Sequence, residues 1–155
     1  MSRLAPLDIG ENWGRLNETI VALVDFIPDD KLDWSPSPEL FNFRGILLHI
    51  SISRQNWLGG LVKDGEGSAD FFGVPNPKER LVEHLRNSWQ RLDRFLSKPD
   101  NLSRMYKGDG DNFEARAVDG NWIAFHLLEH DAHHRSDLFH YLHILGIEHP
   151  EVETP

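Results

Sequence analysis

The stretch that decides the fold is residues 129–146, EHDAHHRSDLFHYLHILG, which holds five of the nine histidines of the chain. Its apolar residues recur at intervals of three and four, as at Leu138, Tyr141 and Leu145, and this is the period of an α-helix. Asp119 precedes the segment as an N-cap residue, and Gly146 follows it as a C′ glycine. The sequence therefore predicts a long helix that starts after Asp119 and runs to Leu145.

His130 and His134 lie four residues apart, so they share one side of this helix, one turn above the other. Each residue advances about 100° around a helix, which places His134 about 40° from His130, and Leu127 and Leu138 about 60° and 80° from it. The pair therefore lies within the apolar stripe. The other histidines fall on the shoulder of that stripe, at His126 and His133, or point to solvent, at His140 and His143.

A histidine pair with this spacing can bind a metal ion, although it also arises by accident in a histidine-rich helix. Asp131, Ala132 and His133 stand between the two histidines, so the glutamate of the zinc-protease motif HExxH is absent. This excludes the zinc-protease interpretation. A third ligand has to come from another helix.

His49 is the candidate for that third ligand, in the middle of the segment FRGILLHISISRQNWLGG. Ser53, Asn56 and Gly60 follow on its side of the predicted helix, and these small or polar residues leave room above the imidazole, as at the floor of a pocket. The residues thus predict one divalent metal ion bound by His49, His130 and His134. Three neutral imidazoles leave coordination positions open for water or a substrate atom.

Helical periodicity also covers residues 7–27 and 43–63, and a further helix is predicted from Pro77, with Asn76 as its N-cap, to the Ser97–Pro99 turn. Four long helices and no clear strand pattern predict an all-α four-helix bundle in a single domain of residues 1–155. The segment between the third and fourth helices, residues 101–120, is predicted to be a long loop, with or without a short hairpin. His84, beside the stripe of the third helix, is predicted to lie on the surface.

Composition restricts the function further. The chain has no cysteine, a formal net charge of −9, and no apolar run near the length of a membrane span. The charge argues against nucleic-acid binding, which needs a basic face. The first residues, MSRLAPLDIGENW, do not resemble a secretory signal. We therefore expect a cytoplasmic protein with a small-molecule substrate and neither a nucleic-acid nor a membrane partner.

Three segments resemble the DinB superfamily of metal-binding four-helix bundles, and the resemblance covers nearly the whole chain. They are ENWGRLNETIVALVDFIPDDKLDWSPSP, FNFRGILLHISISRQNWL and HLLEHDAHHRSDLFHYLHILG. In that family the metal ligands are the histidine of the second helix and the last two of the spaced histidine series. The resemblance implies that the ligands here are His49, His130 and His134, the set that the helix faces predict independently.

The resemblance also suggests an activity, because the family includes S-transferases and isomerases that use low-molecular-weight bacterial thiols. A metal ion that binds the thiol favours its thiolate and so makes a nucleophile. This chain departs from the family pattern after Arg135, where Ser136 and Asp137 replace Gly-Gln. Asp137 falls near the two histidines of the helix, where it either orients an imidazole or lies at the rim of the pocket.

Three functional interpretations remain open at this stage. The chain is a metal-dependent thiol S-transferase or hydrolase, a non-catalytic protein in which the ion has a structural role, or a bundle whose histidines bind nothing. The metal is zinc, nickel, iron(II) or cobalt, all of which suit three histidines.

The fourth helix has a second apolar side, opposite the histidine pair. This side predicts a homodimer with Leu128, Ala132 and Phe139 at a two-fold contact, and the alternative is a cover formed by the loop that precedes the helix. Its residues are Ala124, Phe125, Leu128, Ala132 and Phe139.

Overall fold

The computed structural model of the protein describes residues 8–68, 70–110, 113 and 116–149. Its regular elements are α1 (Ile9–Phe26), a 3-10 turn (Asp29–Lys31), α2 (Phe43–Asn56), a π-helical segment (Trp57–Val62), α3 (Lys78–Leu96), α4 (Pro99–Ser103), β1 (Met105–Lys107), β2 (Ala117–Asp119) and α5 (Gly120–Ile144). Helix α2 packs against α3 and α5, and α1 packs against the same two helices. The four long helices therefore form a bundle, which confirms the predicted all-α fold class.

The core of the bundle lies between the four long helices and is made of leucine, isoleucine and aromatic side chains. Each of the four helices contributes side chains with no exposed surface, including Ile20, Ile50, Leu85, Leu127 and Leu138. These residues occupy the helical stripes that periodicity predicts, so hydrophobic burial explains the arrangement of the helices. Within the described residues, no helix is long and apolar enough to cross a membrane.

Side-chain caps fix where three of the helices begin, and at α1 the Asp8 carboxylate accepts a hydrogen bond from the Glu11 backbone N–H at 2.9 Å. The Asp119 carboxylate accepts a hydrogen bond from the Trp122 backbone N–H at 2.8 Å, which confirms the predicted cap of the last helix. At the other end of α5, Gly146 has a φ of 67°, the left-handed conformation expected of a C′ glycine. Helix α2 begins in the same way, because the Asn42 side chain accepts from the Gly45 N–H at 2.7 Å.

The predicted start of α3 is wrong in one respect, because Asn76 does not cap the helix. The helix begins at Lys78 without a side-chain cap, and the Asn76 amide instead donates to the carbonyl oxygens of Phe71 and Val74 at 2.7 and 2.8 Å. The Asn76 Oδ1 atom lies 3.0 Å from His84 Nε2. His84 is also half-buried rather than on the surface, with its ring stacked on Phe71 at 3.6 Å. Both residues therefore hold the loop that precedes α3.

The segment between α3 and α5 contains a short helix and a hairpin, which settles the alternative that the sequence leaves open. Strands β1 and β2 are antiparallel, and Tyr106 is opposite Val118. Gly120, at the start of α5, lies against α4: a Cβ atom added there would stand 2.0 Å from the Asn101 carbonyl oxygen. Only glycine allows this approach, so α4 and the hairpin are fixed to the first turn of α5.

The side of α5 that faces away from His130 is only partly covered. Ala124 and Leu128 are half-buried, whereas Phe125 is 64% exposed. These residues line a groove of about 780 Å³ whose other walls are the start of α1 and residues near the end of α3, including Leu96, and Leu102 of α4. The segment before α5 thus covers part of this side but leaves the Phe125 ring in solvent.

Candidate metal centre

The three histidines predicted as ligands lie together between α2 and α5. His49 comes from the middle of α2, and His130 and His134 come from successive turns of α5. The Nε2 atoms of His49 and His130 are 2.9 Å apart, and one ring nitrogen from each of the three histidines lies within 4.8 Å of the others. In a tetrahedral zinc site with Zn–N distances of about 2.0–2.1 Å, ligand nitrogens are about 3.3 Å apart. The cluster could therefore hold one metal ion.

The cluster is recessed but not closed to solvent. The side chains of His130 and His134 are 18% and 12% exposed. The Phe41 ring stacks on His49, with 5.0 Å between the ring centroids, and covers that imidazole on its loop side. On the α2 side, the Ser53 hydroxyl lies 3.4 Å from His130 Nε2. The small residue predicted one turn after His49 thus places a polar group, and not an apolar side chain, next to the cluster.

The electrostatic setting favours the neutral form of two of the imidazoles, those of His49 and His134. Burial, together with the neighbouring His130 and His134, lowers the pKa of His49 to about 4. Burial also lowers the pKa of His134, as does His130, and the Asp137 carboxylate partly offsets this effect. A neutral imidazole has a free lone pair on one ring nitrogen, which metal coordination requires.

Asp137 contacts one of the histidines directly, which decides between its two predicted roles. Its Oδ2 atom lies 3.0 Å from His134 Nδ1, the geometry of a carboxylate that orients an imidazole. Asp137 also forms a second group with His133 and His134 whose ligand atoms are close enough to hold an ion. His133 is exposed, with its Nε2 atom 3.6 Å from the carboxylate. Experiments on the three-histidine cluster therefore need His133 as a control.

A buried ion pair lies directly behind His130. The side chains of Arg54 and Asp131 have no exposed surface, and Arg54 Nη2 is 2.8 Å from Asp131 Oδ2. Burial acts to raise the pKa of Asp131, but Arg54, with hydrogen bonds that include one from Trp13, outweighs it, so the pKa is lowered and the carboxylate stays charged. Asp131 Oδ1 lies 3.8 Å from His130 Nδ1, longer than a hydrogen bond.

An aromatic cluster borders the same helices one turn further along. Trp57, the first residue of the π-helical segment, lies 4.8 Å from His126, 5.7 Å from Trp122 and 5.0 Å from Phe113 between ring centroids. Gly60 makes room for this packing, because a Cβ atom added there would be 2.6 Å from the Phe113 ring. The face of the bundle beyond His130 is therefore aromatic. The small residue at Gly60 predicts open space there, but the Phe113 ring occupies it.

The three histidines are predicted from the sequence, but the buried pair of Arg54 and Asp131 behind them is not. Asp131 falls about 100° from His130 on the helical wheel, next to Leu138 at about 80°. Arg54 falls about 140° from His49, between Ile50 and Leu47 in the apolar stripe of α2. Charges inside two facing apolar stripes are a signal of a buried ion pair, because an unpaired buried charge is costly.

Taken together, the fold and the cluster define a class: a four-helix bundle with three histidines from two facing helices at one possible metal site. Two solved structures share the fold. A DinB-like protein from Bacillus cereus ATCC 10987 matches with a TM-score of 0.74 and 18% sequence identity, over 92% of this chain and 94% of that one. A protein from Exiguobacterium sibiricum 255-15 assigned to the DinB family has a TM-score of 0.68 and 21% identity, with 88% of each chain covered.

The sequence model of the DinB family matches residues 1–155, and the chain therefore belongs to the DinB family. This confirms the resemblance found in the three sequence segments. A comparison with curated protein sequences gave no match. The fold and the family are thus established, whereas the assignment of His49, His130 and His134 as ligands stays a prediction.

Proposed function

We propose that this protein is a divalent-metal-dependent enzyme in which His49, His130 and His134 hold the ion. The observation that carries the proposal is the convergence of three imidazole nitrogens within 4.8 Å. Within the part of the chain that the structure describes, no fourth histidine or carboxylate joins this group. A structural zinc site normally has four protein ligands, whereas a catalytic site keeps a position open.

The proposed reaction is transfer of a low-molecular-weight thiol, with hydrolysis as the other reaction of the same site. When bound, the ion would act as a Lewis acid that lowers the pKa of a thiol or water molecule. The residues of the chain supply the rest: neutral imidazoles bind, Asp137 orients His134, and the Ser53 hydroxyl offers a hydrogen bond beside His130. The aromatic rings around Trp57 provide an apolar wall for the organic part of a substrate.

The ligand assignment is tested by metal analysis of the native protein and of two variants. We expect about one equivalent of zinc, nickel, iron or cobalt in the native protein and none in His130→Ala, because two imidazoles bind a divalent ion weakly. The matched control is His133→Ala, which removes an exposed imidazole of the same helix and of the second group around Asp137. Full metal content in His130→Ala, or its loss only in His133→Ala, contradicts the assignment.

The activity is tested with metal-loaded protein, a panel of low-molecular-weight thiols and an electrophilic halonitroarene, and in parallel with activated esters. Turnover that a chelator removes and added metal restores supports the enzyme. The alternative is an ion that only cross-links α2 and α5, which the ligand positions on those two helices favour. In that case metal removal lowers the thermal midpoint strongly while no thiol or ester is consumed.

A further inference from the structure

The two oxygens of Asp131 have different surroundings. The Oδ2 atom accepts hydrogen bonds from Trp13 Nε1 at 2.8 Å and from Arg54 Nε at 3.0 Å. The Oδ1 atom is buried and has no hydrogen-bond partner within the described residues. A buried carboxylate oxygen without a donor is costly, so its surroundings need an explanation.

One donor beside this carboxylate is Arg54 Nη2, which lies 2.8 Å from Oδ2 and has no hydrogen bond of its own. A donor next to Oδ1 is His130, the residue that precedes Asp131. Its Nδ1 atom is also buried without a hydrogen-bond partner in the described part of the chain, and it lies 3.8 Å from Asp131 Oδ1. The other ring nitrogen, Nε2, faces the cluster, 2.9 Å from His49 Nε2. The unpaired nitrogen and the unpaired oxygen are therefore neighbours, and they need to approach by less than 1 Å to reach the usual N–H···O distance of about 2.9–3.0 Å.

The carboxylate itself is held firmly, because Arg54 is fixed by two further helices. Its Nη1 atom donates to Asn17 Oδ1 of α1 at 2.8 Å and to Ser88 Oγ of α3 at 3.2 Å. With Trp13 on the same oxygen, these contacts leave Asp131 no freedom to turn. The imidazole, and not the carboxylate, is the group that adjusts.

We infer that Asp131 is a positioning residue that fixes His130 as the Nδ1–H tautomer, with Arg54 holding the carboxylate in place. A neutral imidazole carries one proton, so a proton on Nδ1 leaves the lone pair on Nε2, the atom that faces His49. The inference rests on the proposed function in one respect: it takes Nε2 as the ligand atom. Carboxylates that accept from a metal-binding histidine in this way set its orientation and basicity.

The first measurement needs no variant. Long-range ¹H–¹⁵N correlation spectra of metal-free protein labelled with ¹⁵N-histidine, at about pH 8 where histidine is neutral, show which ring nitrogen carries the proton. We expect Nδ1–H for His130, with the signal assigned by its loss in His130→Asn. A His130 that is protonated on Nε2 overturns the inference, whatever the metal content.

The second measurement uses Asp131→Asn, which keeps the shape of the side chain. Trp13 and Arg54 both donate to one oxygen position, so the asparagine carbonyl has to occupy it, and the NH₂ group then faces His130 Nδ1. This group donates where the carboxylate accepts, which favours the Nε2–H tautomer, as an asparagine in place of the triad aspartate does in serine proteases. We expect the tautomer to invert and zinc binding, measured by competition with a chromophoric chelator, to weaken about 10- to 100-fold.

Trp13→Phe is the matched control, because it removes a donor to Oδ2 and leaves Oδ1 unchanged. It should lower the urea midpoint while the His130 tautomer and zinc affinity stay as in the native protein. An unchanged tautomer in Asp131→Asn, or an equal loss of affinity in Trp13→Phe, means that Asp131 is only structural and overturns the inference. A native protein that has the Nδ1–H tautomer but binds no metal refutes the proposed metal site while supporting the tautomer assignment.

Discussion

The two sides of α5 differ in polarity. The side toward α2 contains the most polar part of the interior, where His130, His134 and the fully buried Asp131 lie against Arg54. The side away from α2 is apolar, yet the Phe125 ring is largely in solvent. A helix that only had to fill a core would show the reverse arrangement. Hydrophobic burial alone therefore explains neither side of α5.

The largest effect is expected from breaking the buried pair on the inner side. Arg54→Ala leaves the Asp131 charge buried without its partner, which typically costs about 3–5 kcal/mol. Arg94→Ala is the matched control, because its ion pair with Glu66 is exposed on both sides and such pairs contribute at most about 1 kcal/mol. Urea unfolding of both variants measures the difference. Equal losses in the two variants would mean that Asp131 is not confined as the structure indicates.

A second large effect is expected when the pH is lowered, on both the stability of the fold and the binding of metal. The pKa of His49 in the folded chain, about 4, lies below the ordinary histidine value near 6.5, so the unfolded chain binds the proton more readily. The contribution of the neutral His49 to the stability of the metal-free protein is therefore complete above about pH 6.5 and is lost as the pH drops toward about 4. Bound metal should be released at the acid end of this interval, as the pH approaches about 4, since protons compete for the imidazoles of the folded chain.

Urea midpoints at several pH values within that interval measure the stability, and metal analysis after dialysis measures the release. The control is His49→Gln, which removes the titrating ring and should flatten the pH dependence. Metal retained well below pH 4 would contradict a site made only of histidines.

The outer side of α5 leads to a prediction of intermediate size, a homodimer. A second copy that contacts Phe125 and Leu128 across a two-fold axis would bury the exposed ring. Light scattering on dilute protein should then give twice the chain mass of 17.9 kDa. Phe125→Asp should restore the monomer, whereas Ile144→Asp, at an exposed apolar position elsewhere on α5, should not. A native protein that is monomeric throughout the concentration range contradicts the prediction.

The smallest effect is expected at Asp137, the less confined of the two carboxylates beside the histidines. Its side chain is 33% exposed, and water can replace it as the partner of His134 Nδ1. Asp137→Asn should therefore weaken zinc binding by no more than about tenfold, the low end of the usual range for such partners. The chelator competition used for Asp131→Asn measures it. A larger loss than in Asp131→Asn would reverse the order that burial predicts.

Sequence periodicity predicts the bundle and the pairing of His130 with His134 because both depend on spacing along single helices, and it places His49 on the polar side of α2. The predictions of Asp119 as the N-cap and Gly146 as the C′ residue of α5 are also confirmed, since a cap depends on residues within one turn. The prediction that Asn76 caps α3 is wrong for a local reason. An Asn-Pro pair suits the start of a helix, but here the Asn76 amide donates its hydrogen bonds to carbonyl oxygens of the preceding loop. The sequence alone does not decide whether the hairpin forms, because strands of three residues are too short to show an alternating pattern.

The environment of Asp131 lies beyond such local patterns. Its partner Trp13 is 118 residues away, and only the packed bundle brings the two together. The positions of Arg54 and Asp131 on their helical wheels do predict that both are buried. They do not predict that these two charges pair with each other. The partial cover over the outer side of α5 likewise depends on how α4 and the hairpin fold back, which no helical period encodes.

The network around Arg54 also has a consequence for the order in which the protein matures. Trp13, Asn17, Arg54 and Ser88 leave the ribosome well before Asp131, so the guanidinium has no carboxylate partner until α5 is synthesised. Hydration of that charge opposes early collapse of the first three helices around it. His130 emerges in the same last segment as Asp131. The chain therefore completes its three-histidine cluster and pairs its buried cation in one late step, and a nascent chain that stops before α5 has only His49 of that cluster.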